Sequence, residues 1–348
     1  MSNPGKISTA LFSGLVILAL AAWLWMKIPV AADMSVSDPA IVHANKACTN
    51  ADYTSAWFEH AGHKLHYVEA GDGELVLFLH GFPSFWFSFI RQMDAMKDDY
   101  RVVAIDGLGA GKSDAPHDVA AYRLENMAAH LEALIDHLGA EKVHIVGHDW
   151  GATFAFGFAQ RYPERVASVT GLSAPPQNVL LSLIQRDSSL RQTSAYIERL
   201  KQANPLLIVA TGGDKKVWTG AYEPLVEKGL LTPEEGDLFR EATGNPKRIN
   251  AHINWYRANI PPFDKIRDAD FWPERGARLH MPALIVWGQD DRVFAKQYAE
   301  ATKVRSDQIR MLPLAGVGHW PHVERAETVT QAIKDLISEE TPLDPIRQ

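Results

Sequence analysis

Residues 143–151 read Val-His-Ile-Val-Gly-His-Asp-Trp-Gly, and the ten that follow, Ala152–Arg161, are dominated by alanine, glycine and phenylalanine. A short apolar run, two glycines bracketing one carboxylate, and a small-residue helix describe strand, tight turn and helix in succession. That is the setting of a nucleophile elbow, whose pattern is Gly-x-nucleophile-x-Gly. The glycines at 147 and 151 let strand and helix approach closely, and the turn lifts the middle side chain above the sheet into a cleft. Here that side chain is Asp149. A carboxylate attacks an electrophilic sp³ carbon and forms an ester. The plainer alternative is a helix-capping aspartate, and the paired glycines weigh against it.

An ester intermediate has to be cleaved by activated water, which calls for a base, and histidine is the natural one near pH 7. Of the 14 histidines, His319 follows a strand-like run and a glycine turn in Leu314-Ala315-Gly316-Val317-Gly318-His319-Trp320, with His322 as its rival. The base needs a carboxylate on its other nitrogen. Trp287-Gly288-Gln289-Asp290-Asp291 ends a strand with two acids, of which Asp291 is preferred over Asp290. Water attack passes through a tetrahedral anion that needs backbone donors. Trp150 N–H supplies one, and Phe82 N–H in His80-Gly81-Phe82-Pro83, directly after the apolar run Leu75–Leu79, supplies the second.

Outward from the elbow, compact apolar runs recur at Leu75–Leu79, Val102–Ile105, Val143–Val146, Val166–Leu172, Ala283–Trp287 and Ile309–Leu312, each short enough for a strand buried on both faces. Two further strands are expected at 54–59 and 64–69. Helical patterns at 125–138, 152–161 and 323–337 alternate with them. The fold class this predicts is α/β, a mostly parallel, doubly wound sheet with its site at the carboxyl ends of the strands. Between about 175 and 275 the alternation stops and helices are expected at 179–203, 223–229, 233–242 and 246–258. The organisation is therefore a core over 54–174 and 276–340 with a helical cap inserted at 175–275.

With 46% hydrophobic residues in 348, the chain has ample material for a core. A formal charge of −7 gives no electrostatic case for nucleic acid. The single cysteine, Cys48, excludes an intrachain disulfide and any multi-cysteine zinc site. Residues 7–26 are out of character: they carry no charge, Lys6 and Lys27 flank them, and Trp23 and Trp25 stand near the end. Twenty helical residues match the roughly 30 Å hydrocarbon core of a bilayer. Residues 1–32 are accordingly expected to be an N-terminal membrane anchor, with a signal peptide cleaved near Val30-Ala31-Ala32 and export as the alternative. Removing them takes away Lys6 and Lys27 and no acid, moving the charge from −7 to −9. Residues 33–53 read as a linker.

The span from about 54 to 338 resembles the α/β-hydrolase fold family in its branch of epoxide hydrolases and haloalkane dehalogenases. The resemblance rests on HGFP at 80–83, DGLGAGKSDAP at 106–116, GHDWG at 147–151, WGQDD at 287–291 and GHWPHVE at 318–324. The order nucleophile, acid, base at 149, 291 and 319 is the order of that fold. The resemblance implies an epoxide opened by Asp149 while two cap tyrosines hydrogen-bond its oxygen, and a diol released by water that His319 and Asp291 activate. Asn254-Trp255-Tyr256-Arg257-Ala258-Asn259 is similar to the family's second-tyrosine motif and points to Tyr256. Ser194-Ala195-Tyr196-Ile197 resembles the first tyrosine's segment, although Glu198-Arg199-Leu200-Lys201 departs from the usual aromatic run there; Tyr222 is the substitute for Tyr196. A haloalkane dehalogenase on the same triad is the alternative. Its frequent second halide donor, an asparagine after His-Gly, is replaced by Phe82, and the arginine of the fluoroacetate type is replaced by Trp150. Ser84 stands where many epoxide hydrolases carry glutamate. The implied partners are a small lipophilic epoxide and water, with neither a metal nor an organic cofactor. A binding protein on a retired hydrolase scaffold is a third class, disfavoured by the presence of every triad and oxyanion position.

Overall fold

Strands that are apolar at nearly every position can be buried on both faces, and the centre of this protein is built from them. A computed structural model of the protein describes residues 38–47, 53–204, 208, 213–306 and 308–338. Its eight-stranded sheet runs β1 (Thr54–His60), β2 (His63–Ala70), β4 (Arg101–Ile105), β3 (Leu75–Leu79), β5 (Val143–His148), β6 (Val166–Leu172), β7 (Ala283–Gly288), β8 (Ile309–Leu314). β1 and β2 are an antiparallel hairpin, β2 is antiparallel to β4, and every later pairing is parallel. All positions of β3, β5 and β7 are buried. Their alternation divides the core in two: Leu77, Leu79, Ile145 and Ile285 face one side, and Val76, Phe78, Val146 and Val286 the other. Each such side chain contributes about 1.5–3 kcal/mol when fully buried.

Helices cover both faces: α2 (Ile90–Met96), α3 (Leu124–His137), α4 (Trp150–Arg161), α12 (Gln297–Lys303), α13 (Pro321–Glu324) and α14 (Ala326–Ser338). Between β6 and β7 the chain forms α5 (Gln177–Arg186), α6 (Ser188–Thr193), α7 (Ala195–Lys201), α8 (Gly213–Ala221), α9 (Glu223–Glu227), α10 (Pro233–Gly244) and α11 (Pro246–Asn259). Because β3 lies beside β5, and β7 beside β8, the loops leaving these four strands meet on one edge of the sheet.

Three local expectations need correction. The segment 179–203 is three helices. Asp187 leaves the helical region (φ −114°, ψ 113°) and its side chain accepts from Ser189 and Leu190 N–H, so it ends one helix and caps the next. The pattern at 323–337 is likewise split, at Arg325 (φ −141°, ψ 54°), into α13 and α14. The linker read at 33–53 contains a helix, α1 (Pro39–Ala47). Asp38 Oδ1 accepts from Ala40 N–H at 2.9 Å, its Oδ2 from the Trp86 indole at 3.3 Å, and Ala40 and Ala44 are buried one turn apart. The small side chains that hid any periodicity are what lets this helix lie close against the core. The uncharged run at 7–26 lies outside the described residues; among those described, no helix is long and apolar enough to cross a membrane.

Candidate active site

β5 ends at His148 and α4 begins at Trp150, leaving Asp149 on the turn at φ 53°, ψ −121°. L-residues seldom adopt this region, and it persists only where the surroundings impose it. They do so here. A Cβ on Gly147 would stand 2.2 Å from the Gly151 carbonyl oxygen, and one on Gly151 would stand 1.9 Å from that of Leu79. The turn closes only with glycine at both positions. Asp149 makes no capping bond to α4; its Oδ1 instead accepts the Phe82 N–H at 2.8 Å. Trp150, the first residue of α4, carries one of the N–H groups for which a helix offers no carbonyl. Burial works against the Asp149 charge, but the His319 bond and charge, together with the Phe82 N–H, outweigh it and hold the carboxyl below its ordinary range.

His319 leaves β8 through a glycine turn and stands between two carboxylates. Its Nδ1–H donates to Asp291 Oδ2 at 2.9 Å, and its Nε2 lies 3.5 Å from Asp149 Oδ2. Asp291 is fixed in turn by the N–H groups of Val293 (2.7 Å) and Phe294 (3.1 Å) on its Oδ1. Burial disfavours the imidazolium, yet Asp291 and Asp149 together outweigh it and push the His319 pKa up to about 10. Asp290 is exposed, and its backbone N–H serves the Val317 carbonyl. His322 is buried and stacked on Phe89 (centroids 4.8 Å apart), with neither ring nitrogen partnered among the described residues.

Tyr256 sits over the nucleophile. Its ring is edge-on to Trp150 at 4.9 Å and to Phe82 at 5.4 Å, the two residues whose N–H groups flank Asp149. The Tyr196 ring is half-buried, but its hydroxyl is buried and without a partner among the described residues. Burial first, and the Asp149 charge second, raise both phenols well above their usual pKa, so both remain proton donors. Tyr222 is differently employed. Its hydroxyl donates to the Pro83 carbonyl, and its ring stacks on Phe239 at 4.3 Å. Ser84 is fully buried, and its hydroxyl donates to the Phe85 carbonyl at 3.5 Å.

Two further residues hold His319 by its backbone, and sequence reading gave neither a role. Glu324 Oε1 accepts from Gly318 N–H at 3.0 Å and Trp320 N–H at 3.3 Å, straddling the histidine. His148 donates Nε2–H to the His319 carbonyl at 2.8 Å. Burial and the neighbouring His319 charge push the His148 pKa down to about 3, so it is a fixed neutral donor. Both stand inside motifs already quoted, at 147–151 and 318–324, but a spacing pattern does not reveal which backbone atom a side chain reaches.

A family model for the alpha/beta hydrolase fold matches residues 74–326. The chain belongs to the alpha/beta hydrolase fold family. Within it, the chain is 30% identical over 292 residues to Epoxide hydrolase 4 of Mus musculus, spanning 82% of this chain and 79% of that protein. It is 30% identical over 283 residues to Epoxide hydrolase 1 of Caenorhabditis elegans, spanning 79% and 68%. A solved structure of Epoxide Hydrolase A from Mycobacterium thermoresistibile is 27% identical with a TM-score of 0.66, covering 82% of this chain and 98% of that one. These likenesses set this alpha/beta hydrolase in the epoxide hydrolase branch.

Proposed function

We propose that this alpha/beta hydrolase converts an epoxide to a vicinal diol through an ester on Asp149. The observation that carries the reading is that Tyr256 of the cap packs edge-on against Phe82 and Trp150, the residues that flank the buried Asp149 carboxylate, while the Tyr196 hydroxyl is buried without a partner among the described residues. Asp149 Oδ1 rests on the Phe82 N–H and remains the carbonyl oxygen; Oδ2 forms the bond to an epoxide carbon. The ring C–O bond breaks toward oxygen, which takes a proton from Tyr196 or Tyr256. The phenolate recovers its proton from the His319 imidazolium, and esterification has removed one of the two charges that kept that proton in place. Neutral His319 then takes a proton from water. The hydroxide adds to the Asp149 carboxyl carbon, and the Phe82 and Trp150 N–H groups hold the resulting oxyanion. Collapse expels the diol oxygen, which is protonated by His319. The carboxylic acid left on Asp149 returns its proton to His319, and the site is reset.

The same triad serves a haloalkane dehalogenase, in which two donors hold the departing halide. Here the ring of Tyr256 packs edge-on against Trp150 at 4.9 Å, placing a phenol donor suited to an epoxide oxygen beside the indole that would hold a halide, which favours the epoxide. Turnover of an epoxide in heavy-oxygen water tests the ester route. In a single turnover the label is expected in Asp149 and not in the diol. Label in the diol alone, or an unlabelled Asp149 after many turnovers, refutes it. Halide release from haloalkanes without diol from epoxides establishes the dehalogenase.

We also propose that residues 1–32 tether the enzyme at a membrane, where a lipophilic epoxide concentrates; the uncharged run at 7–26 supports this. A membrane pellet that keeps the full chain through an alkaline wash is the expected result. A soluble form beginning near residue 33 indicates signal cleavage instead.

A further inference from the structure

His252 lies four residues before Tyr256 on α11, hence on the same face of that helix. It is fully buried, and neither ring nitrogen has a hydrogen-bond partner among the described residues. Its ring stands edge-on to Phe82 at 5.8 Å, 5.0 Å from Trp255 and 6.1 Å from His80. Phe82 is the residue whose N–H holds the nucleophile and whose ring also meets Tyr256. His252 and Tyr256, both on the cap, therefore pack against the same Phe82 ring, beside the N–H that holds the nucleophile.

An aromatic cage of this kind would be packed as well by phenylalanine, with no orphaned polar atoms. Burial first, then the charges of His80 and Arg248, hold the ring neutral, so it offers one N–H donor and one nitrogen acceptor. A buried polar group left open in this way calls for a partner that binds there. We propose that His252 is a specificity-determining residue: it hydrogen-bonds a neutral oxygen carried next to the epoxide ring, so the preferred substrates are epoxides bearing an ether, hydroxyl or carbonyl oxygen at that position. The proposal rests on the epoxide hydrolase reading above.

The test compares kcat/KM on butyl glycidyl ether and 1,2-epoxyoctane, which differ by one oxygen in place of one methylene. It uses the full-length wild type, His252→Phe and His252→Asn, with thermal midpoints measured alongside. One hydrogen bond corresponds to about a tenfold preference for the ether in the wild type. His252→Phe is expected to bring the ratio close to unity while its midpoint holds or rises, because two unpaired nitrogens have gone. His252→Asn, which keeps a donor and an acceptor, is expected to retain part of the ratio. An unchanged ratio in both variants overturns the proposal. So does an equal loss on both substrates with a lowered midpoint, the signature of a histidine bonded to internal water. If the wild type yields diol from neither compound, the epoxide reading itself fails and takes this proposal with it, an outcome recognisable by the absence of diol in every arm.

Discussion

His148 Nε2–H donates to the backbone carbonyl of His319 across 2.8 Å, so the residue preceding the nucleophile positions the residue that serves as base. The two lie 171 positions apart in the chain. Replacing His148 by phenylalanine leaves that partly buried carbonyl without its donor. The expected result is a roughly tenfold fall in the rate of ester hydrolysis, with ester formation less affected, since the penalty for one orphaned buried group is about 1–3 kcal/mol. Rapid-quench trapping of the Asp149 ester checks it; a variant that accumulates less ester than the wild type contradicts it.

Asp291 orients the imidazole and sets its tautomer. Asp291→Asn is expected to lower kcat by ~10³–10⁴ with little change in fold, by analogy with the carboxylate of other triads. Steady-state kinetics together with an unchanged circular-dichroism spectrum would bear this out.

His319 gains a proton on folding, because its pKa rises from 6.5 to about 10. A raised folded-state pKa contributes stability that is complete below the unfolded value and is lost as pH climbs through the folded one. Between pH 6.5 and 10 the wild type should therefore lose stability that a His319→Gln variant does not lose. Parallel denaturation curves for the two proteins across that window would refute the ion pairing at its root.

The three candidate tyrosines separate by chemistry. Tyr256→Phe and Tyr196→Phe are each expected to slow ring opening by ~10²-fold, the usual cost of one donor to a developing oxyanion. In Tyr222→Phe the lost bond is the one to the Pro83 carbonyl. Its expected effect is on stability, about 1 kcal/mol, with ring opening little changed. Single-turnover rates and melting curves distinguish the two behaviours.

Helix α1 depends on Asp38, which caps it and anchors it to Trp86. Asp38→Ala is expected to cost about 1 kcal/mol, visible as a fall of about 2–4 °C in the thermal midpoint. A midpoint equal to that of the wild type would mean the helix contributes nothing to the folded core.

The buried strands were legible because complete burial on both faces demands uninterrupted apolar runs, and Leu75–Leu79 and Ala283–Trp287 are such runs. The elbow was legible because a Cβ at Gly147 or Gly151 would stand only about 2 Å from a backbone oxygen, a constraint no other residue satisfies. Helix α1 was not, since two buried alanines leave too weak a pattern. The breaks at Asp187 and Arg325 escaped for a related reason: apolar periodicity runs on across a helix end, and only the backbone angles mark where one helix stops.

What the sequence determined by itself was the family of the fold and the places of Asp149, Asp291 and His319 at the ends of strands, because local turns and strand runs are written in adjacent residues. The tertiary structure alone decided which of several similar side chains does what. It gave the Tyr222 hydroxyl to Pro83, packed Tyr256 against Phe82 and Trp150, left the Tyr196 hydroxyl buried without a partner among the described residues, and aimed His148 at the His319 carbonyl. These choices depend on distances between residues far apart in the chain. Packing fixes such distances, and no local pattern records them.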